Sequence, residues 1–510
     1  MTTMGAIGRV YLVGAGPGDP GLITVKGTEC LRCADVVIYD YLANKRLLNY
    51  CTEEAEMIYV GKRSGDAPNL QEYINSLLIQ HAKEGKTVVR LKGGDPVIFG
   101  RGGEEALALA SEGIEYEIIP GVTSATAVPA YAGIPITHRD FASSLAIVTG
   151  HETTSKGQPT LPWKSLAGIH TVVFLMGVKN LDTNMLMLID AGRDPETPAA
   201  LISWGTYSKQ RTVTGKVADI AQKVRDAKIK PPSIAVVGEV IKFRENMNWF
   251  ETKPLFGRKI IVTRSRTQSS ELVRRIEDLG GEAIEFPTIE IAPPTSYRKL
   301  DSAIVSLDKY EWLVFTSVNG VKYFFARLFE RGQDNRSLHS IKLAAIGEQT
   351  AGAIEKRGFK VDLVPEEFIA EGLVRSFSKV DIKGKRILIP RVKKAREILP
   401  DGLRNLGAEV DVVPAYEAHQ PSPKTLEPAK ELIDSGGIDV ITFASSSTAR
   451  NFFEIMGKDF VQKNKSIIAC IGPITARTVE SFGLEPQIVC EKYTIEELAK
   501  DIAAYFNKSS

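Results

Sequence analysis

Val10-Tyr11-Leu12-Val13-Gly14-Ala15-Gly16-Pro17-Gly18-Asp19-Pro20-Gly21 is a β-branched strand that ends in a glycine-rich turn and opens a helix. That order of elements is the unit of an α/β layer. Gly16, Gly18 and Gly21 satisfy the GxGxxG spacing of a dinucleotide fold, and Asp40 closes the next strand at about the customary distance of ~20 residues. Two features weigh against that ligand. Pro17 and Pro20 lack the amide protons that a pyrophosphate needs, and Asp19 puts a negative charge in the same place. The turn suits a ligand that requires close backbone approach and carries no phosphate.

Outward from this turn, β-branched runs at 10–14, 36–40, 87–92, 146–149, 171–176, 199–204 and 233–238 alternate with helical patterns near 21–34, 69–84, 102–112 and 178–190. The alternation predicts α/β layers. A second turn, Val89 to Glu105, holds five glycines (93, 94, 100, 102 and 103), and a third reads Pro120-Gly121-Val122-Thr123-Ser124-Ala125. Three such turns on neighbouring strands would line one crevice.

The 510 residues suggest three or four domains. An apolar share of 43% and a charged share of 25% describe an ordinary globular chain, not a disordered one. Sixty-four basic against 62 acidic residues leave +2, which gives no support to a nucleic-acid or membrane-surface role. No apolar run is long enough to span a bilayer, and Met1 to Gly8 lacks the pattern of a signal peptide. Cys30, Cys33, Cys51, Cys470 and Cys490 are sparse and odd in number, which points to a reducing cytoplasm. Cys30 and Cys33 sit in a helix-like stretch where Gly27, Cys30 and Ala34 share one small-residue face, and His81 lies on the Leu70, Ile74, Leu77 stripe, so no structural metal is expected.

Residues 248–257 carry no period, and a fresh strand starts at Lys259, so the boundary is read there: 1–248 and 258–507. The second block repeats itself. Ile260-Ile261-Val262-Thr263-Arg264 returns as Ile387-Leu388-Ile389-Pro390-Arg391, and Leu279-Gly280 as Leu406-Gly407. Phe315-Thr316-Ser317 returns as Phe443-Ala444-Ser445, and Ala345-Ile346-Gly347 as Cys470-Ile471-Gly472. The copies are displaced by 125 to 128 residues, too far for a solenoid, so the block is two similar α/β lobes. Chain order suggests one lobe from 258–292 joined to 419–507 and the other from 293–418. Hydroxyl residues recur at matching turns: Thr316, Ser317 and Thr350 in one half, Ser446 and Thr475 in the other. Helix capping alone accounts for such residues equally well.

GAGPGDPGLITVKG, Tyr39-Asp40, Gly61-Lys62-Arg63, VRLKGGDPVIFGRGGEEA, PGVTSATAVPAYAGIPITHR and Phe174-Leu175-Met176-Gly177, in that order, resemble the uroporphyrinogen-III C-methyltransferases of the tetrapyrrole methylase family over residues 8–245. The resemblance implies two α/β lobes with S-adenosyl-L-methionine held between them, and a homodimer through this part. By motif position it assigns the cofactor contacts to Pro17, Gly93, Gly94, Asp95, Ile98, Thr123, Ser124, Met176 and Gly205. It makes Asp40 the base and Lys62 the proton donor. Arg63, Arg101, Arg139 and Arg211 are candidates for gripping substrate carboxylates.

FTSVNGV, AAIGEQTA, VVPAYEA, ITFASSSTARNFF, ACIGPITA and Tyr493-Thr494-Ile495-Glu496-Glu497-Leu498 are similar to uroporphyrinogen-III synthase over 258–507. That likeness implies cyclisation of hydroxymethylbilane with inversion of the last ring, with Tyr416 assisting departure of the hydroxyl. Together the two resemblances imply a cytoplasmic bifunctional enzyme of siroheme or cobalamin biosynthesis, a transferase and a lyase, that produces precorrin-2. The alternative is a methyltransferase fused to a non-catalytic tetrapyrrole-binding module. No dehydrogenase–chelatase part is expected.

Overall fold

The computed structural model describes residues 7–52, 54–61, 70–150, 161–263, 266–393, 397–434 and 436–507. The chain divides into two compact units, residues 1–259 with 275–282 and 503–510, and residues 260–274 with 283–502. Among the described residues no helix is long and apolar enough to cross a membrane.

The first unit holds two sheets. One is ordered β3-β2-β4-β1-β5, from Arg9–Gly14 (β1), Val36–Tyr39 (β2), Glu56–Tyr59 (β3), Val88–Lys92 (β4) and Glu115–Ile119 (β5). All of its pairings are parallel, so every strand presents its C-terminal end along one edge. The other is ordered β6-β7-β10-β8-β9, from Leu145–Thr149 (β6), Thr171–Leu175 (β7), Pro198–Ser203 (β8), Arg211–Lys216 (β9) and Ser233–Val237 (β10). Here β10 runs antiparallel to both of its neighbours. The central strands are largely buried on both faces, because helices cover both sides of a parallel sheet. Val10, Leu12, Val36, Ile38 and Val88 join one cluster, and Val13, Val37, Val89 and Leu91 join the opposite one.

Each core strand of the first block falls where its β-branched run predicts. The strands without a sequence signal, β3, β5 and β9, are all sheet edges. Their residues (EMIY, EYEII, RTVTGK) mix charged or polar groups with apolar ones, since an edge strand is only half covered. The helix expected from 21 begins at Val25, because the Thr24 side chain accepts the Gly27 amide and fixes the N-terminus there. His81 is buried on the helix Leu70–Lys83.

The second unit is built from the duplication. One sheet is ordered β12-β11-β18-β19-β20, from Lys259–Val262 (β11), Glu282–Glu285 (β12), Val440–Phe443 (β18), Ile467–Cys470 (β19) and Ile488–Val489 (β20). The other is ordered β13-β17-β16-β14-β15, from Glu290–Ala292 (β13), Trp312–Phe315 (β14), Lys342–Ala345 (β15), Arg386–Val392 (β16) and Glu409–His419 (β17). Matching strands by the repeat shows an exchange: each sheet takes the first half of one copy and the second half of the other. β13 pairs antiparallel with β17, so the chain has entered the second sheet before residue 293, where the sequence pattern places the crossing. The repeated Leu-Gly pairs end helices in both copies, and Gly280 and Gly407 share the same left-handed φ of +89°.

Phe443 is fully buried, with Phe452 and Phe453 ring centroids 5.6 and 5.3 Å away. Phe443→Ala should destabilise the second unit by about 3–5 kcal/mol, read as a lower urea midpoint by circular dichroism. A wild-type midpoint would contradict this packing.

Candidate active site

Ligands of open parallel sheets bind beyond the carboxyl ends of the strands, and in the first unit three turns meet there. The turn after β1 and the turn after β4 are joined by a reciprocal bridge, Gly16 N–H to Gly94 O at 3.2 Å and Gly94 N–H to Gly16 O at 2.7 Å. The turn after β5 comes closer still. A Cβ on Gly14 would lie 2.5 Å from Gly121 Cα, and one on Gly121 would lie 2.3 Å from the Gly94 carbonyl oxygen. No side chain fits at either position, which explains the glycines in two of the sequence motifs. Asp95 then ties the turns together. Its Oδ1 accepts the amides of Val97 (2.9 Å) and Ile98 (3.1 Å), and its Oδ2 accepts that of Gly121 (3.0 Å).

The turns form one wall of a cleft of about 870 Å³ whose other wall comes from the second sheet of the same unit. All nine residues singled out for cofactor contact line it: Pro17, Gly93, Gly94, Asp95, Ile98, Thr123, Ser124, Met176 and Gly205. Thr123 also caps the helix Ser124–Tyr131, its Oγ1 accepting the Ala125 amide. Among the described residues seven non-glycine residues have positive φ, and Phe99, Arg101, Met176 and Trp204 of these line the cleft. Each such conformation costs about 1–3 kcal/mol. Strain concentrated at one crevice marks it as the functional one.

Phosphate is a poor match for this cleft. The amides of Ala15 and Gly16 are already spent on the carbonyls of Lys92 and Gly94, and that of Asp19 on Thr206 Oγ1. Pro17 has none to give. The Asp19 carboxylate stays in the turn, held by Tyr131 OH (2.8 Å) and the Gly21 amide. What the cleft offers is carbonyls, small hydroxyls and apolar walls, which fit an adenosyl group with a sulfonium and not a pyrophosphate.

Asp40 follows β2 and lines the same cleft. Its Oδ1 accepts the Leu42 amide and its Oδ2 accepts Arg90 Nη2, both at 3.2 Å, so it caps its own loop and still faces the crevice. Lys62 and Arg63 lie outside the described residues. Arg101 lines the cleft and pairs with Glu104; Arg211 donates to the Ala227 carbonyl. Sequence reasoning passes over Arg90, Lys92 and Glu105, three buried charges beside Asp40. The signal is two cations at alternate positions inside a fully buried strand, Val-Val-Arg-Leu-Lys.

In the second unit Tyr416, on β17, is 7% exposed and its hydroxyl sits 3.0 Å from Ser317 Oγ. Its ring stacks on Tyr323. Ser317 and its counterpart Ser445 cap the helices Val318–Glu330 and Ser446–Met456 with the same extended backbone, so capping and site geometry coincide. Thr316 adjoins Ser317, and Ser446 Oγ donates to the Ile474 carbonyl, joining the turns after β18 and β19. Thr350 and Thr475 occupy equivalent helices, Glu348–Glu355 and Pro473–Glu480, and are 5% and 4% exposed, so only a small edge of each faces solvent. Burial pushes the Tyr416 phenol up and the Ser317 hydrogen bond pulls it partly back, which keeps the hydroxyl protonated at neutral pH.

Gly121→Ala should destabilise the first unit by about 1–3 kcal/mol, because the added methyl meets backbone. Gly103→Ala, in a helix with open space around the position, should be neutral or stabilising. Thermal unfolding of both variants checks the pair; equal midpoints would contradict the close approach of the turns.

Comparison with known proteins matches the two parts of the chain to two families. Residues 9–221 match the tetrapyrrole (corrin/porphyrin) methylases and residues 270–500 match uroporphyrinogen-III synthase HemD. The porphyrin biosynthesis protein HemD of Ruminiclostridium josui is 40% identical over 492 residues, covering 96% of this chain and 97% of that protein. A uroporphyrinogen-III C-methyltransferase of Bacillus subtilis is 45% identical over 359 residues, 70% of this chain and 73% of its own length. The S-adenosyl-L-methionine-dependent uroporphyrinogen III methyltransferase of Methanosarcina barkeri is 50% identical over 242 residues, 47% of this chain and 95% of that protein. The chain thus belongs to the tetrapyrrole methylases through its amino-terminal part and to the uroporphyrinogen-III synthases through its carboxy-terminal part.

Proposed function

We propose that this chain closes hydroxymethylbilane to uroporphyrinogen III with the last ring inverted, and then methylates that product twice to give precorrin-2. The observation that carries the second reaction is the cleft whose turn amides at Ala15, Gly16, Asp19 and Gly94 are already spent within the fold, so that it suits a cofactor without phosphate. The name of the Methanosarcina relative agrees with that choice of cofactor. We assign the methylation to residues 1–248 and the cyclisation to 258–507, place the enzyme in the cytoplasm, and expect a homodimer through the methylase part.

S-adenosyl-L-methionine, when bound, supplies a methyl group on a positively charged sulphur that departs as a neutral thioether. Gly93, Gly94, Thr123, Ser124, Met176 and Gly205 would hold it, with Pro17 and Ile98 as apolar contacts and Asp95 fixing the turns that carry them. Alignment of the macrocycle in the cleft provides most of the acceleration. Once the pyrrole carbon has formed its new carbon–carbon bond, the macrocycle must lose a proton to regain neutrality. The Asp40 carboxylate lines the cleft and is held by the Leu42 amide and Arg90, so it is oriented to receive that proton. Lys62 is the proposed proton donor.

For the first reaction, Tyr416 is a protonated phenol whose oxygen is positioned by Ser317. It can donate to the departing hydroxyl of the bilane, while Thr316, Ser317, Ser446, Thr350 and Thr475 are the proposed substrate contacts. No step calls for a metal.

Asp40→Asn should keep S-adenosylhomocysteine binding by calorimetry and lower methyl transfer by roughly 10²- to 10⁴-fold; unchanged turnover would remove its role as base. Tyr416→Phe should slow bilane closure by at least about 10²-fold, followed by product absorbance. A wild-type rate would leave Tyr416 as packing only.

A further inference from the structure

β4 buries two cations. Arg90 is 3% exposed and Lys92 4%, and both side chains project from the same face of the strand because they are two residues apart. Glu105, 0% exposed on the helix Gly102–Ser111, answers both with one oxygen. Its Oε1 accepts Lys92 Nζ at 2.8 Å, Arg90 Nε at 3.3 Å and Gln71 Nε2 at 3.2 Å. Its Oε2 is buried and has no partner among the described residues. Every nitrogen of the Arg90 guanidinium is engaged. Nη1 donates to the carbonyls of Ile38 and Leu91, Nε to Glu105, and Nη2 to Asp40 Oδ2.

A sheet held together for stability alone would not collect these charges. Apolar side chains of similar volume do as well or better in such a place, and the rest of this strand is apolar. The arrangement is also directional: Glu105 grips Arg90 from the helix side, and Arg90 grips Asp40 at the cleft. Burial and the adjacent Arg90 push the Lys92 ammonium down, so Glu105 is also the anion that keeps two neighbouring cations compatible.

We propose that Glu105 is a positioning residue for methyl transfer, the buried anion that orients Arg90 and Lys92 under Asp40 and balances their charge. This rests on the reading of Asp40 as the base. It acts through Arg90 and makes no contact with substrate.

The test is steady-state methyl transfer from labelled S-adenosylmethionine to uroporphyrinogen III by the full chain, for wild type, Glu105→Gln and Glu105→Asp. With Glu105 neutral, Arg90 loses the anion that holds it from the helix side, and Asp40 loses its fixed orientation. Glu105→Gln should therefore reduce kcat by roughly 10- to 100-fold while KM for S-adenosylmethionine stays near wild type. Glu105→Asp keeps the charge but loses reach, so its kcat should fall less than that of Glu105→Gln. S-adenosylhomocysteine affinity should remain near wild type in both, which shows that the cleft is intact. If Glu105→Gln does not fold, the Glu105→Asp kcat decides. Wild-type kcat in a folded variant, or a loss confined to KM, overturns the role of Glu105 alone. Absence of methylation by the wild-type chain overturns it together with the functional reading.

Discussion

The methylase cleft depends on backbone touching backbone where β1, β4 and β5 end. Gly14, Gly94 and Gly121 approach so closely that a single methyl group has no room at Gly14 or Gly121. The contact leaves unpaired amides at the turn ends, and one carboxylate, Asp95, gathers three of them. Such charge-assisted hydrogen bonds are roughly twice as strong as neutral ones, so the turns are held in place before any ligand arrives. This constraint also selects the ligand. Amides used to join one turn to the next are no longer available to phosphate, and carbonyls, hydroxyls and apolar side chains remain.

The second unit solves a different problem with repetition. Neither copy of the duplicated segment forms a sheet by itself; each sheet draws its strands from both. The same cap serves both copies, with Ser317 and Ser445 in matching extended conformations ahead of matching helices. Among the described residues only one copy's cap meets a buried phenol, where Ser317 lies against Tyr416. The asymmetry comes from β17, which carries Tyr416 and is eleven residues long, whereas its counterpart β12 has four. Divergence of one strand after duplication therefore turns a capping hydroxyl into half of a proposed catalytic pair.

How much of this can be read from residues alone follows from burial. Core strands such as Val36–Tyr39 and Thr171–Leu175 announce themselves because both faces are apolar. Edge strands such as Glu115–Ile119 do not, because half of each is exposed and its residues resemble those of a loop. The turns are legible because glycines clustered at a strand end mark a close approach of backbone, and all nine residues drawn from the motifs reach one cleft. Arg90 and Lys92 are harder to see, because a charged residue in a strand normally signals an exposed face. Only the three-dimensional structure shows that Glu105, from a helix thirteen to fifteen positions later, has followed them inside. Thr350 and Thr475 illustrate the converse: spacing places them at equivalent turns, but spacing does not report that both are almost covered.

The selectivity that these turns impose is for a sulfonium cofactor over a nucleotide phosphate. It is tested most directly by titrating S-adenosylhomocysteine and NADP separately into the full chain in a calorimeter. Saturable one-site binding of the former and no heat of binding from the latter are expected. Saturable NADP binding that S-adenosylhomocysteine displaces would contradict it.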